Sequence, residues 1–262
     1  MSGDERPRTA RPSLSPRGAA DDEAVLERLR TGDLEPLRPL PRSSNATFLA
    51  RVRPRGASEE EPKEPFLAVY KPRAGETPLW DFPEGTLCQR EVAAYVLARA
   101  LGWPRVPPTV LRDGPFGEGA VQAFLPFDPS RHYLTMREER TDEFRRVALF
   151  DVVVNNADRK SGHCLLDEEG RLFVVDHGLC FHAEPKLRTV IWDFVGEPIP
   201  ADARADLERL RDLLEAGPLV EELEALLFPA ELRALRRRVR DLLAEGVYPE
   251  PGPGRPYPWP IV

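Results

Sequence analysis

The stretch from Val147 to Gly178 restricts the possible folds of this chain more than any other. Two apolar runs, VALFDVVV (147–154) and RLFVVD (171–176), enclose a polar segment holding Asn155, Asn156, Asp158 and His163. The first run reads as a buried helix that starts at a Thr-x-x-Phe cap, with Asp142 and Glu143 in its opening turn. The sequence CLLDEEGRLFVVDHG reads as a hairpin, two apolar arms about Asp-Glu-Glu-Gly. A hairpin returns its ends to one place. Asp176 therefore comes back beside His163, and Asp158 lies just before both. Carboxylate, imidazole and carboxylate converging at strand ends have the chemistry of a divalent-cation site with a general base beside it.

The first half of the chain is β-rich and supplies complementary groups. A short helix is expected over 21–31, then strand, turn and strand over PLPRSSNATFLARVRP (39–54) and a strand over 64–72 that ends in Lys71-Pro72. A solvated loop over 56–64 joins the last two. Helical spacing of apolar residues at 92, 93, 96, 97, 100 and 101 predicts a helix that carries Glu91 and stops at Gly102. Two more strands follow over 107–113 and 119–128. The turn Ser43-Ser44-Asn45-Ala46-Thr47 is small and polar. Its backbone N–H groups are suited to covering phosphates, although it contains no glycine. Beyond the hairpin, residues 201–245 are helical, with breaks at Gly217-Pro218 and Pro229. The last stretch, YPEPGPGRPYPWPIV, is either disordered or a polyproline strap with aromatic anchors.

Composition removes several classes of function. The net charge is −7, from 44 acidic and 37 basic residues, so nucleic acid is not an expected partner. No apolar run of membrane-spanning length occurs, and residues 1–20 lack the apolar core of a secretory signal, so neither membrane insertion nor secretion is expected. Those residues read as disordered. Three cysteines, Cys88, Cys164 and Cys180, fit reduced thiols in a cytoplasmic protein. Trp80, Trp103 and Trp192 read as packing anchors, and the Trp-Asp-Phe shared by 80–82 and 192–194 reads as coincidence. The arginine-rich run LRALRRRVRDLL (232–243) reads as a solvated helix face.

Taken together, these residues resemble the protein-kinase-like superfamily, in particular its phosphatidylinositol 3-/4-kinase-like branch, the HipA-type kinases and an actinobacterial family related to phosphatidylinositol kinases. Asp158-Arg159-Lys160-Ser161-Gly162-His163 resembles the Asp-Arg-His-x-x-Asn catalytic loop, and Asp176-His177-Gly178 resembles Asp-Phe-Gly. The stretches SSNATFL, YKPRAGETPLWDFPEGTLCQREVAAY, LGWPRVPPTVLRDGPFGEG and NNADRKSGHCLL carry the likeness over about residues 36–200.

The resemblance implies an α+β, two-lobed protein-kinase-like fold. Its β-rich N-lobe would span 21–127 and its helical C-lobe 128–247, with a proline-rich tail over 248–262. It implies a phosphotransferase that uses ATP with Mg2+ or Mn2+ and an acceptor hydroxyl on a protein or small molecule. Lys71 would bind phosphates, Glu91 would orient Lys71, and Asp158 would serve as base or orienter. His163 and Asp176 would hold the metal. Ser43, Ser44, Asn45 and Thr47 would cover the phosphates, and backbone groups near Gln122 and Phe124, in a hinge over 122–127, would read adenine. Three departures stand out. His163 replaces asparagine, which favours Mn2+ and predicts activity falling below about pH 6.5. His177 replaces the usual phenylalanine, and Lys160 replaces histidine. Alternative readings are a pseudokinase scaffold and transfer of AMP on the same fold.

Overall fold

The structure, a computed structural model, describes residues 18–41, 43–56 and 66–262. Its architecture is α+β. Helix α1 (Gly18–Thr31) leads into an antiparallel five-stranded sheet of β1 (Asp33–Pro39), β2 (Phe48–Arg53), β3 (Phe66–Pro72), β4 (Thr109–Gly114) and β5 (Gly117–Ala123), in the order β1-β2-β3-β5-β4. Helix α1 starts three residues inside the stretch expected to be disordered. The rest of that stretch, 1–17, and most of the expected 56–64 loop lie outside the described residues.

Alternation along β3 decides where Lys71 points. Phe66, Ala68, Tyr70 and Pro72 are buried on one face, while Leu67, Val69 and Lys71 are less buried on the other. Lys71 pairs with Ala120, and Pro72 with Gly119. A Cβ at residue 119 would stand 2.4 Å from the Lys71 carbonyl oxygen, so only glycine lets β5 close on β3 here.

Helix α2 (Leu87–Leu101) crosses from the sheet to the helical half. Its N-terminus is capped from a distance. The Glu76 carboxylate accepts from the Leu87 and Cys88 N–H groups at 3.1 and 2.8 Å. It ends as the sequence predicts, at Gly102 with φ 93°. Most of the helix is buried, including the charged Arg90 and Glu91. The Arg90 guanidinium pairs with Glu231 and donates to the Cys180 carbonyl at 2.6 Å. Its Nε donates to the Thr86 hydroxyl at 3.2 Å.

The helical half contains the short α3 (Tyr133–Met136), α4 (Thr141–Val154), the hairpin β6 (Cys164–Leu166) and β7 (Leu172–Val174), and α5 (Ala201–Leu213), α6 (Pro218–Glu224) and α7 (Pro229–Glu245). Both expected breaks occur, with Pro218 and Pro229 each opening a helix. The expected Thr141 cap does not form. Arg140 is the N-cap, and the Thr141 hydroxyl instead donates back to the carbonyls of Arg137 and Glu138. One apolar core runs from Leu29 and Val52 through Leu97 and Phe150 to Leu235 and Leu242, joining the sheet to the helices. The proline-rich stretch is a strap rather than a loose end. Beyond α7 it returns across the molecule, and the Ile261 carbonyl accepts from the Ser161 N–H.

Arg90 and Glu231 are 1% and 6% exposed. Removing one partner strands the other charge in the core. Arg90→Ala should therefore lower stability by about 3–5 kcal/mol, and the double variant Arg90→Met with Glu231→Leu should recover most of that. Urea denaturation measures both. A loss below about 1 kcal/mol in Arg90→Ala would show that the pair is not what ties α2 to α7.

Candidate active site

Helix α4 places the first groups. Its run VALFDVVV contains one charge, Asp151, which is fully buried. A buried carboxylate needs partners, and the residues just past the helix provide them. Arg159 donates to Asp151 through Nε at 3.1 Å and Nη2 at 3.0 Å. Asn156 donates to it at 3.0 Å, and the Thr189 hydroxyl at 3.3 Å. The remaining Arg159 groups reach the Val175 carbonyl at 2.9 Å and His177 Nε2 at 2.8 Å. Burial opposes the Arg159 charge, but Asp151 outweighs it and raises the pKa. One ion pair thus fixes the start of the polar loop and the end of the hairpin together.

The hairpin does what the sequence predicts. The Val175 N–H donates to the His163 carbonyl at 3.0 Å, and His163 Nε2 lies 3.4 Å from Asp176 Oδ2. The Lys71 ammonium completes the convergence. It pairs with Glu91 and, at 3.0 Å, with Asp176 Oδ1. Glu91 also accepts from the His177 N–H at 3.0 Å. Asp158 faces Lys160, whose ammonium lies 3.0 Å from Oδ2. Glu91, Lys71, Asp176 and His163 therefore form one continuous chain of contacts, with Asp158 on the adjoining loop beside Lys160.

Three non-glycine residues around this site take left-handed backbone: Asn155 at φ 54°, Asp176 at φ 62° and Phe181 at φ 66°. Asn155 is held there by its own amide. It donates to the carbonyls of His182 and Glu184 and accepts from the Lys186 N–H at 2.8 Å.

The remaining expected site residues sort by what already holds them. The 43–47 turn joins β1 to β2 and is stapled to the 75–77 segment. Asn45 Oδ1 accepts from the Thr77 N–H at 2.8 Å, the Ser44 carbonyl from the Thr77 hydroxyl at 2.9 Å, and the Gly75 carbonyl from the Ala46 N–H at 2.9 Å. Thr47 is buried, and its hydroxyl accepts from Ser43 and donates to the Asn45 carbonyl. Thr47 thus shapes the turn from inside. Gln122 lies within β5 between two strands, and its amide donates to the Thr109 hydroxyl at 2.8 Å. The Phe124 N–H goes to the Leu67 carbonyl at 3.0 Å. These groups are spent on the sheet.

Sequence reasoning missed Asp151, Thr189 and the structural work of Arg159. The signal was present: a lone aspartate in an apolar helix demands a buried cation nearby. It also took Trp80 for a packing anchor. Trp80 is 92% exposed, with its ring 5.3 Å from the Lys186 ammonium, while Asp81 pairs with Lys186 at 2.9 Å. Trp103 and Trp192 are anchors, donating to Asp206 and to the Pro256 carbonyl. The three cysteines are buried free thiols, and burial pushes Cys164 up to about 12.

Charge state follows from the same contacts. Asp176 is held well below the usual carboxylate range, chiefly by the Lys71 ammonium. Burial lowers His163 to about 4, against the pull of Asp176. Burial thus favours the neutral imidazole at pH values where a free histidine, near 6.5, would take up its proton. His177 is also lowered by burial. Arg159 has only donors to offer, so His177 Nε2 must accept and the ring proton sits on Nδ1. That Nδ1 has no hydrogen-bond partner among the described residues. The ring stands edge-on to Phe150 at 5.8 Å, so it still packs as an aromatic.

Both histidines refuse protons that the unfolded chain accepts below pH 6.5. Stability should therefore fall as pH drops from about 6.5 toward 4, by up to about 1.4 kcal/mol per pH unit for each. His163→Asn should flatten the slope by one histidine's share in urea melts between pH 6.5 and 4.5. An unchanged slope would mean that His163 titrates normally in the fold.

The model of the family Phosphatidylinositol 3- and 4-kinase matches residues 110–237. Protein Rv2133c of Mycobacterium tuberculosis is 39% identical over 275 residues, covering 92% of this chain and 95% of that protein. Phosphatidylinositol 4-kinase gamma 4 of Oryza sativa subsp. japonica is 32% identical over 116 residues, 37% of this chain and 20% of that protein. Among solved structures, hydra Fam20 with sugar aligns with a TM-score of 0.55 at 15% identity, over 88% of this chain and 91% of that one. The Golgi casein kinase with Mn/ADP bound aligns with a TM-score of 0.52 at 16% identity, over 87% and 76%. At such identities the structures speak for the fold, which is two-lobed and protein-kinase-like. Sequence and fold agree, and the chain belongs to the phosphatidylinositol 3-/4-kinase-like family, with Protein Rv2133c as a relative along nearly its whole length.

Proposed function

We propose that this protein transfers the γ-phosphoryl group of ATP to a hydroxyl of a protein or small molecule, with a divalent cation, between an N-lobe of about residues 21–127 and a C-lobe of about 128–247. The observation that carries the reading is the Lys71 ammonium, held between Glu91 on α2 and Asp176 at the end of the hairpin. Such a lysine is a fixed positive charge aimed at phosphate oxygens, and phosphoryl transfer depends on placing charge rather than on covalent chemistry. The Mn/ADP complex of the Golgi casein kinase supports nucleotide and metal use on this fold.

The residues fit a shared metal better than a closed one. Asp176 and His163 adjoin at 3.4 Å, and the Asp176 side chain is 51% exposed. Among the described residues, no group of three or more His, Cys, Asp or Glu side chains could hold an ion alone. Mg2+ typically takes one or two protein ligands and completes its shell with water and phosphate, and the neutral imidazole of His163 tilts the preference toward Mn2+. When bound, the ion would neutralise charge on the phosphates. Asp158 would orient the acceptor hydroxyl and take its proton, and Lys160 beside it keeps positive charge near the transferred group. The 43–47 turn would lie over the phosphates, and backbone from Phe124 onward would meet adenine.

The test uses ATP labelled at the α- or γ-phosphate, with Mg2+ or Mn2+, on the wild-type chain, Asp158→Ala and Asp176→Ala. Release or transfer of γ-label is expected from wild type. Asp158→Ala should lower the rate by roughly 10²–10⁴-fold, the share of a positioned base, and Asp176→Ala should abolish the metal-dependent transfer. Label arriving from the α-phosphate would instead mean AMP transfer. If no label moves, and ATP with metal leaves the melting temperature unchanged, the chain is a scaffold.

A further inference from the structure

Arg255–Val262 carry Pro256, Pro258 and Pro260. Proline has a carbonyl but no N–H, so at these three positions the segment offers an acceptor without a donor. Two of its carbonyls are taken up at one place. The Pro256 carbonyl accepts from the Thr189 N–H at 3.0 Å and from Trp192 Nε1 at 3.2 Å. The Ile261 carbonyl accepts from the Ser161 N–H at 2.8 Å. Thr189 is the residue whose hydroxyl reaches Asp151, and Ser161 lies between Asp158 and His163.

Ser161 is fully buried, and its hydroxyl is already engaged, with His132 Nδ1 at 2.8 Å and the Leu134 N–H at 3.1 Å. Without Ile261 its N–H would lose the acceptor the structure gives it. The strap itself buries little: Trp259 is 75% exposed and Val262 58%. A segment that left its apolar side chains in water but spent its carbonyls on the polar loop would contribute more to position than to core.

We propose that Arg255–Val262 is a positioning element for the catalytic loop, setting Asp158 and His163 through the Pro256 and Ile261 carbonyls. This rests on reading that loop as the site of phosphoryl transfer. Comparing the full chain with a chain ending at Gly254 and with full-length Trp192→Phe tests it, by hydrogen exchange and Mn2+-dependent ATP turnover. In the shortened chain, Ser161 amide exchange should rise roughly 100-fold while Val153 in α4 stays protected. Its kcat should fall roughly 10- to 100-fold, the scale of a displaced catalytic group, with the ATP dissociation constant unchanged. A synthetic peptide of residues 250–262 should restore both. Trp192→Phe should show the same changes in smaller degree, and it decides the matter if the shortened chain melts. Turnover that survives both changes, or Ser161 exchange equal to that of the full chain, overturns the positioning role alone. No turnover in the full chain removes the phosphoryl-transfer reading, and the proposal with it.

Discussion

A guanidinium with no access to water is among the most demanding groups a fold can enclose, and Arg159 is one. Its side chain and that of Asp151 are both fully buried. Moving two such charges out of water is repaid only when the geometry is good and the leftover donors find acceptors. Here they do: Asp151, the Val175 carbonyl and His177 take up the guanidinium. The loop after α4 therefore has one conformation in which its charges are satisfied. Asp158, next to Arg159 in sequence, inherits that conformation.

The second buried pair acts on the other half of the molecule. Arg90 and Glu91 are neighbours on α2 and face different partners. Arg90 ties the helix to α7, and Glu91 holds Lys71 and the His177 backbone. A shift of α2 that broke one set would strain the other. Phe82 and Asp81 add to this clasp, with the Arg90 guanidinium over the Phe82 ring and Asp81 paired to Lys186. Lys71 and Asp176, which come from opposite halves of the chain, are consequently brought together at 3.0 Å.

Much of this was legible in the sequence because the elements concerned are periodic or punctuated. Strand β3 alternates, α2 ends at a glycine, and the hairpin arms fold about Asp-Glu-Glu-Gly, so Lys71, Glu91, His163 and Asp176 could be placed in advance. What was not legible depends on distant partners. Nothing local to Arg90 names Glu231, and nothing near Leu87 names Glu76 as its cap. Trp80 looked like core because tryptophan usually is, yet the loop that carries it is anchored by Asp81 and Phe82 instead. The Gln122 amide and the Phe124 N–H go to Thr109 and to the Leu67 carbonyl, distant partners that nothing local to 122–124 names. The effect of burial on His163 was likewise invisible, since a sequence gives no dielectric.

The left-handed residues at Asn155, Asp176 and Phe181 have a consequence for the unfolded chain. Glycine would take these angles without strain, but it would also bring the widest range of conformations to be lost on folding. Asparagine and aspartate reach the same angles at modest steric cost, and phenylalanine at a larger one. The chain thus accepts local strain, set against core packing, in place of conformational entropy. It gains turns whose side chains also work: Asn155 binds three backbone groups, and Asp176 holds Lys71. At Asn155 and Asp176 geometry and chemistry are carried by the same residue, so one substitution there alters both.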